Sequence, residues 1–242
     1  MAEWFESVRA EFELNFIKAN RWEYLVDGLK NTLLLTLVAL IIGVIIGVLV
    51  AAVRSTYDKT KETARPTFGR RVFGFFNGLC KVYLTVVRGT PVVVQVMIFF
   101  YVIFAAAKDG TMVAALAFGI NSGAYVAEII RGGIMSIDNG QFEAGRSLGF
   151  NYLQTMRYIV VPQTIKNVLP SLMNEFIALL KETSVAGYVA VQDLTKAGDI
   201  IRSRTYSAFM PLIAVALIYL VVVMFFTWLV GKLERRLRAS DH

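Results

Sequence analysis

The sequence predicts an all-α, polytopic integral membrane protein, and three observations carry this. Of its 242 residues 56% are hydrophobic and only 18% are charged, against roughly 45–50% and about 25% in soluble domains. The mean hydropathy is +0.58. Leu33 to Val53 is apolar or glycine throughout except for Thr36, and a run beyond roughly 18 such residues reads as a membrane span. That run starts behind a segment holding six acidic residues, which is not the layout of a secretory signal peptide.

Five spans are expected, at 25–53, 91–107, 112–136, 163–190 and 207–231. In the first, Gly43 and Gly47 stand at GxxxG spacing, which lets a neighbouring helix approach closely. Between the first two spans lies a basic loop. It leads into an amphipathic segment, 72–90, that carries Lys81 and Arg88 and is expected to lie along the cytoplasmic face rather than across the bilayer. The fourth span is interrupted by Asn174, Glu175, Lys181 and Glu182, and the fifth ends at Lys232. The expected layout is an external segment at 1–22, a membrane domain at 23–232 and a cytoplasmic tail at 233–242.

Orientation follows from the lysine and arginine bias of the loops. With five spans, the stretches 54–90, 131–166 and 232–242 share one side and hold 16 Lys and Arg. The N-terminal segment, 108–111 and 191–206 share the other side and hold 8. The N-terminus is therefore expected outside and the C-terminus in the cytoplasm. The net charge of +7 is accounted for by this asymmetry, so nucleic-acid binding is not needed to explain it.

Several chemistries lack their residues. The single cysteine, Cys80, cannot form an internal disulfide. The single histidine is His242, the last residue, which leaves no imidazole inside the fold for a metal site, haem or acyl transfer. Neither GxSxG nor GxxxxGK[ST] occurs, so no enzyme activity, no ATPase site of its own and no cofactor are expected.

The stretch 138–162, DNGQFEAGRSLGFNYLQTMRYIVVP, is expected on the cytoplasmic side. Asp138 followed by Gln141, and Asn151 followed by Gln154, read as two capping boxes. Gly149 stands where the first helix would end, since glycine accepts the left-handed conformation. Pro162 closes the second helix or opens the next span. Local physics thus predicts two short helices joined at a glycine.

This stretch resembles the EAA loop of ATP-binding-cassette importer permeases: E-A-A, three residues, G, nine residues, I, one residue, L-P. Glu143 and Ala144 open it, Gly149 and Ile159 hold their places and Pro162 closes it. Gly145 stands at the second alanine and Val161 at the leucine. RGTPVVVQ (88–95), NSGAYVAEIIRGGI (121–134), VPQT (161–164) and LLKETSVAG (179–187) extend the resemblance to the polar amino-acid permease family, over roughly residues 25–232. The resemblance implies a methionine-importer-like fold and multi-pass insertion in the inner (cytoplasmic) membrane. The implied function is alternating-access import of polar or charged L-amino acids. It also implies partners: a second permease subunit, identical or different, a cytoplasmic ABC ATPase dimer and an external solute-binding protein. In the family the EAA helix docks on the ATPase, which assigns that joint to Glu143, Ala144, Arg146, Gly149, Ile159 and Pro162.

Polar groups inside spans are costly, on the order of 2.5–3.5 kcal/mol for a charge at the bilayer centre, and mark solute paths. Asn121, Tyr125 and Glu128 fall at i, i+4 and i+7, on one helical face, and Asn174 and Lys181 share a face in the same way. A helix broken at 181–187, with Glu182 and Ser184 in it, would line a transport cavity. Opposite charges suit a zwitterion: Lys181 or Arg88 for the carboxylate, Glu128 or Glu182 for the amine. The alternative is a structural Glu128–Lys181 pair. Gln95 completes the candidate liners. A stand-alone channel or secondary carrier would also hold intramembrane charges; the EAA spacing distinguishes the importer.

Overall fold

The structure, a computed structural model, describes residues 1–60 and 67–239. The middle of the expected basic loop, the end of the expected tail and His242 lie outside the described residues. No strand occurs among them. In chain order the helices are α1 (Ala2–Phe12), α2 (Trp22–Thr60), α3 (Phe68–Gly89), α4 (Val92–Ile98), α5 (Gly110–Met135), α6 (Asn139–Ser147), α7 (Tyr152–Thr155), α8 (Val161–Glu182), α9 (Leu194–Thr205) and α10 (Phe209–Ala239).

Three of these, α2, α5 and α10, are long and apolar enough to cross a membrane, or four if α3 and the helix after it form one broken span. The expected first, third and fifth spans are therefore helices of sufficient length. The expected second span is different. Its helical part is α4 plus a π turn at Phe99–Ile103, twelve residues in all. At 1.5 Å per residue this is about 18 Å, well short of a hydrocarbon core of about 30 Å. The break before it has a local cause: Pro91 restricts the preceding residue, and Thr90 is extended at φ −123°, ψ 146°. Helix α8 has the length of a span, 22 residues, but its charged residues keep it out of the apolar set.

The chain divides into two compact units, 1–39 with 92–118 and 177–229, and 40–91 with 119–176 and 230–242. The first has a core of Phe16, Leu25, Leu194, Ala197, Ile201 and Val215. Here the N-terminal segment is held by more than its apolar side chains. Asn15 is fully buried, donates to Ser207 Oγ at 3.2 Å and accepts from Thr205 Oγ1 at 2.8 Å. Helix α9 starts at Asp193, whose carboxylate accepts the N–H groups of Thr195 and Lys196 at 2.9 and 3.0 Å. Burial pushes the Asp193 carboxyl above its ordinary range, and those hydrogen bonds oppose the shift. Gly28 permits the close approach of α2, because a Cβ there would lie 2.8 Å from the Asp193 carbonyl oxygen and from Ala197 Cβ.

In the second unit α5 meets α2 along the predicted GxxxG. A Cβ on Gly43 would sit 3.1 Å from Ser122, and one on Gly47 only 2.4 Å from Val126 Cγ1 and 3.0 Å from the Ala127 nitrogen. Leu84 and Val87 of α3 pack on Ala124 and Ala127 of α5, small residues that bring α3 and its basic side chains up to the same helix.

Candidate functional site

The second unit gathers charges from three helices. On α5, Glu128 and Arg131 stand one turn apart and meet in a two-point pair, Nη2 to Oε2 at 3.0 Å and Nε to Oε1 at 3.4 Å. Arg88, at the end of α3, approaches the same carboxylate at 4.0 Å and lies over the Tyr125 ring, 5.5 Å from its centre. On the other side Arg131 reaches Asp58 of α2 at 3.7 Å, and Asp58 lies 4.0 Å from Arg54. Arg54 in turn donates to Asn77 Oδ1 at 3.0 Å, while its buried Nε has no partner among the described residues. A cavity of about 450 Å³ opens onto Arg54, Lys81, Thr85, Arg88 and Glu128, a volume suited to a small solute.

Of the expected liners, the structure thus brings Arg88, Tyr125 and Glu128 together. It also corrects the pairing: the ion partners of Glu128 are Arg131 and Arg88, whereas Lys181 belongs to the first unit. Arg54, Asp58 and Arg131 were not among the expected site residues. Hydropathy ends the first span at Val53, but α2 runs on to Thr60, which puts Arg54 and Asp58 on one helical face at i, i+4. That spacing is a signal the sequence does carry.

The remaining liners separate. Asn121 is buried, and its neighbour Ser122 donates to Glu175 Oε1 at 2.8 Å. On α8 it is therefore Glu175 that faces α5, while Asn174 is exposed. In the first unit Lys181 and Ser184 share a cavity of about 320 Å³ with Thr195, Val215 and Tyr219. Glu182 and Gln95, of the same unit, are half-buried and do not line this cavity. The expected break at 181–187 takes a milder form: α8 tightens into a 3₁₀ helix at Thr183–Val189 and stops at Ala190, which is left-handed at φ 61°.

The expected helical hairpin is present. Helix α6 begins at Asp138, whose carboxylate accepts the Gly140 N–H at 2.6 Å. The first capping box is not formed, since the Gln141 side chain instead accepts from Gln163 at 3.3 Å. The second box is complete: Asn151 Oδ1 accepts the Gln154 N–H, and Gln154 Oε1 accepts the Asn151 N–H, each at 2.9 Å. Gly149 has φ 81°. The Phe150 N–H bonds the Gly145 carbonyl at 3.0 Å and the Gly149 N–H that of Arg146 at 2.9 Å, a Schellman motif that only a residue at ease in the left-handed region closes without strain. Pro162 opens α8, with a π turn at Met156–Val160 before it.

The departure at Gly145 has a steric reason. A Cβ there would lie 2.7 Å from Thr155 Cγ2 and 3.2 Å from Ile159 Cδ1, so a β-branched residue at 155 leaves no room for alanine at 145. Phe142 is buried with Ile134, Ile137 and Val160. That burial is worth about 1.5–3 kcal/mol and seats α6 on the end of α5. Glu143, Ala144 and Arg146 stay exposed, and Ile159 is half-buried. Leu148 and Leu153 are 71% and 76% exposed at the hairpin tip.

A family model described as binding-protein-dependent transport system inner membrane component matches residues 66–239. The putative glutamine transport system permease protein GlnP of Rickettsia bellii is 36% identical over 184 residues, covering 70% of this chain and 84% of that protein. The arginine transport system permease protein ArtQ of Bacillus subtilis is 35% identical over 185 residues, covering 70% and 84%. The crystal structure of an amino acid ABC transporter with histidines superposes with a TM-score of 0.78 at 38% identity, over 91% of this chain and 98% of that one. The MetNI methionine ABC transporter shares the fold, with a TM-score of 0.73 at 18% identity over 89% and 97%.

Proposed function

Because the chain belongs to the binding-protein-dependent transport system inner membrane component family, we propose that it is the membrane-spanning subunit of an ATP-driven importer of polar or charged L-amino acids. The observation that carries this reading is the capped hairpin α6–α7, rigid at both helix starts and exposed along Glu143, Ala144, Arg146, Leu148 and Leu153. A separate ATPase dimer that closes on nucleotide needs such an element to push against. An external binding protein delivers the solute, and a second permease subunit completes the path. The relatives handling glutamine and arginine support the polar amino-acid class.

The path itself is assigned to Arg88, Gln95, Asn121, Tyr125, Glu128, Asn174, Lys181, Glu182 and Ser184. Arg88 or Lys181 attracts the solute carboxylate and Glu128 or Glu182 its amine. Arg131 takes one direction of each Glu128 oxygen and leaves lone pairs for an ammonium group.

Coupling is tested with Glu143→Lys and Gly149→Asp. Both variants should insert in the membrane, yet lose ATPase co-purification or the stimulation of hydrolysis by solute-loaded binding protein. Gly149→Asp also strains the residue at φ 81°, at a cost of order 1–3 kcal/mol. Unchanged uptake with unchanged co-purification in both would sink the docking assignment.

The chain lies in the inner membrane with its N-terminus outside, as the 16-to-8 division of basic residues supports. Cysteines introduced in 1–20 should label from outside intact cells, and those in 54–60 should not. Outside labelling at 54–60 would reverse the orientation and remove the hairpin from the ATPase side.

A further inference from the structure

The last turn of α2 holds two neighbouring residues that grip different elements. Lys59 donates from Nζ to Asn139 Oδ1 at 2.9 Å and lies 4.5 Å from the centre of the Phe142 ring. Asn139 is the first residue of α6 and Phe142 is its buried anchor, so Lys59 holds both ends of the first turn of that helix. Asp58, one residue earlier, points elsewhere, because successive helical residues are about a quarter-turn apart. It meets Arg131 of α5 at 3.7 Å, and Arg131 carries Glu128 in the two-point pair. A cavity of about 420 Å³ borders Lys59, Phe142, Glu143 and Arg146 at this joint.

From this geometry we infer that Lys59 and Asp58 are positioning residues that transmit displacement of α6 to the Glu128 carboxylate. The inference rests on the proposed importer reading and deepens it by naming the connection inside the permease. When α6 moves, Lys59 carries the end of α2 with it. Asp58 then draws Arg131 toward or away from Glu128, which changes how strongly that carboxylate is held and hence what it offers a solute. Neither residue need touch the ATPase or the amino acid. Residues in one contiguous network should couple rather than add.

The experiment uses the permease assembled with its ATPase in lipid nanodiscs, and compares hydrolysis with and without solute-loaded binding protein. In Lys59→Met the ATPase should still co-purify and basal hydrolysis should persist, while stimulation by the loaded binding protein falls about fivefold. Lys59→Arg should restore most of it, since a guanidinium can still reach Asn139 and stack on Phe142. Asp58→Asn should show the same uncoupling, and Lys59→Met with Asp58→Asn should be no worse than either alone. Full stimulation in Lys59→Met overturns the inference, as does strict additivity of the two variants. Loss of ATPase co-purification in Lys59→Met also overturns it, because the residue would then be part of the docking surface. Failure of the wild-type complex to be stimulated at all would instead defeat the importer reading, which keeps the two outcomes apart.

Discussion

An Arg131→Met permease should lose both thermal stability and amino-acid uptake. Arg131 is the only cation placed between Asp58 and Glu128 among the described residues, at 3.7 and 3.0 Å. Its removal leaves the Asp58 and Glu128 carboxylates with weaker help from Arg54 and Arg88, each at 4.0 Å. The side chains are 26–29% exposed, between a surface pair, worth up to about 1 kcal/mol, and a buried pair broken on one side, at about 3–5 kcal/mol. A loss of about 2–3 kcal/mol follows, read as a fall in the melting temperature of the purified protein. Glu128→Gln alone should cost less, because Arg131 keeps Asp58. Adding Glu128→Gln to Arg131→Met should recover much of the stability, since one of the uncompensated charges is gone. Uptake should nevertheless stay absent in that double variant, because the carboxylate assigned to the solute amine is missing. Full uptake by a stable double variant would leave Glu128 a structural residue only, with the family membership untouched.

Gly47→Leu should be the most damaging single change in the apolar part of α2. Even the first added carbon would lie 2.4 Å from Val126 Cγ1, 2.7 Å from Val126 Cβ and 3.0 Å from the Ala127 nitrogen. The last of these is backbone and cannot rotate away. Separating α2 from α5 would also pull apart Gly43 and Ser122, so overpacking should reach about 3 kcal/mol, the upper end of its usual range. Gly47→Ala should cost less, and Val126→Ala should partly rescue it by removing the side-chain clash. Accumulation of folded Gly47→Leu protein at wild-type levels, with an unshifted melting temperature, would show that the two helices do not need this contact.

The helical membrane character was legible throughout, because it depends on the chain's own composition and on runs such as 33–53. The hairpin was legible for the same reason: Asn151, Gln154 and Gly149 act on backbone groups within a few residues. Where another group or a local break competes, near or distant, the reading fails. Gln141 has the spacing of a capping box, but Gln163, twenty-two residues on, takes its side chain. The proposed second span has the hydrophobicity of a crossing helix, yet Thr90–Pro91 and the π turn at 99–103 leave too little helix. Opposite charges in two spans left a structural Glu128–Lys181 pair as the alternative to a solute site. Arg131, one turn away on the same helix, holds Glu128.

The sequence by itself therefore determined the class of protein, the places where helices start and stop by local capping, and the helical hairpin at 138–162. Each rests on interactions within a turn or two of chain, or on burial of a whole segment in lipid. The tertiary structure alone decided which charges meet across helices, why Gly145 and Gly47 leave no room for a Cβ, and that Asp58 and Lys59 stand between α6 and Arg131. Those outcomes depend on distances between helices far apart in the chain, and an ion pair or steric contact is won or lost within an ångström.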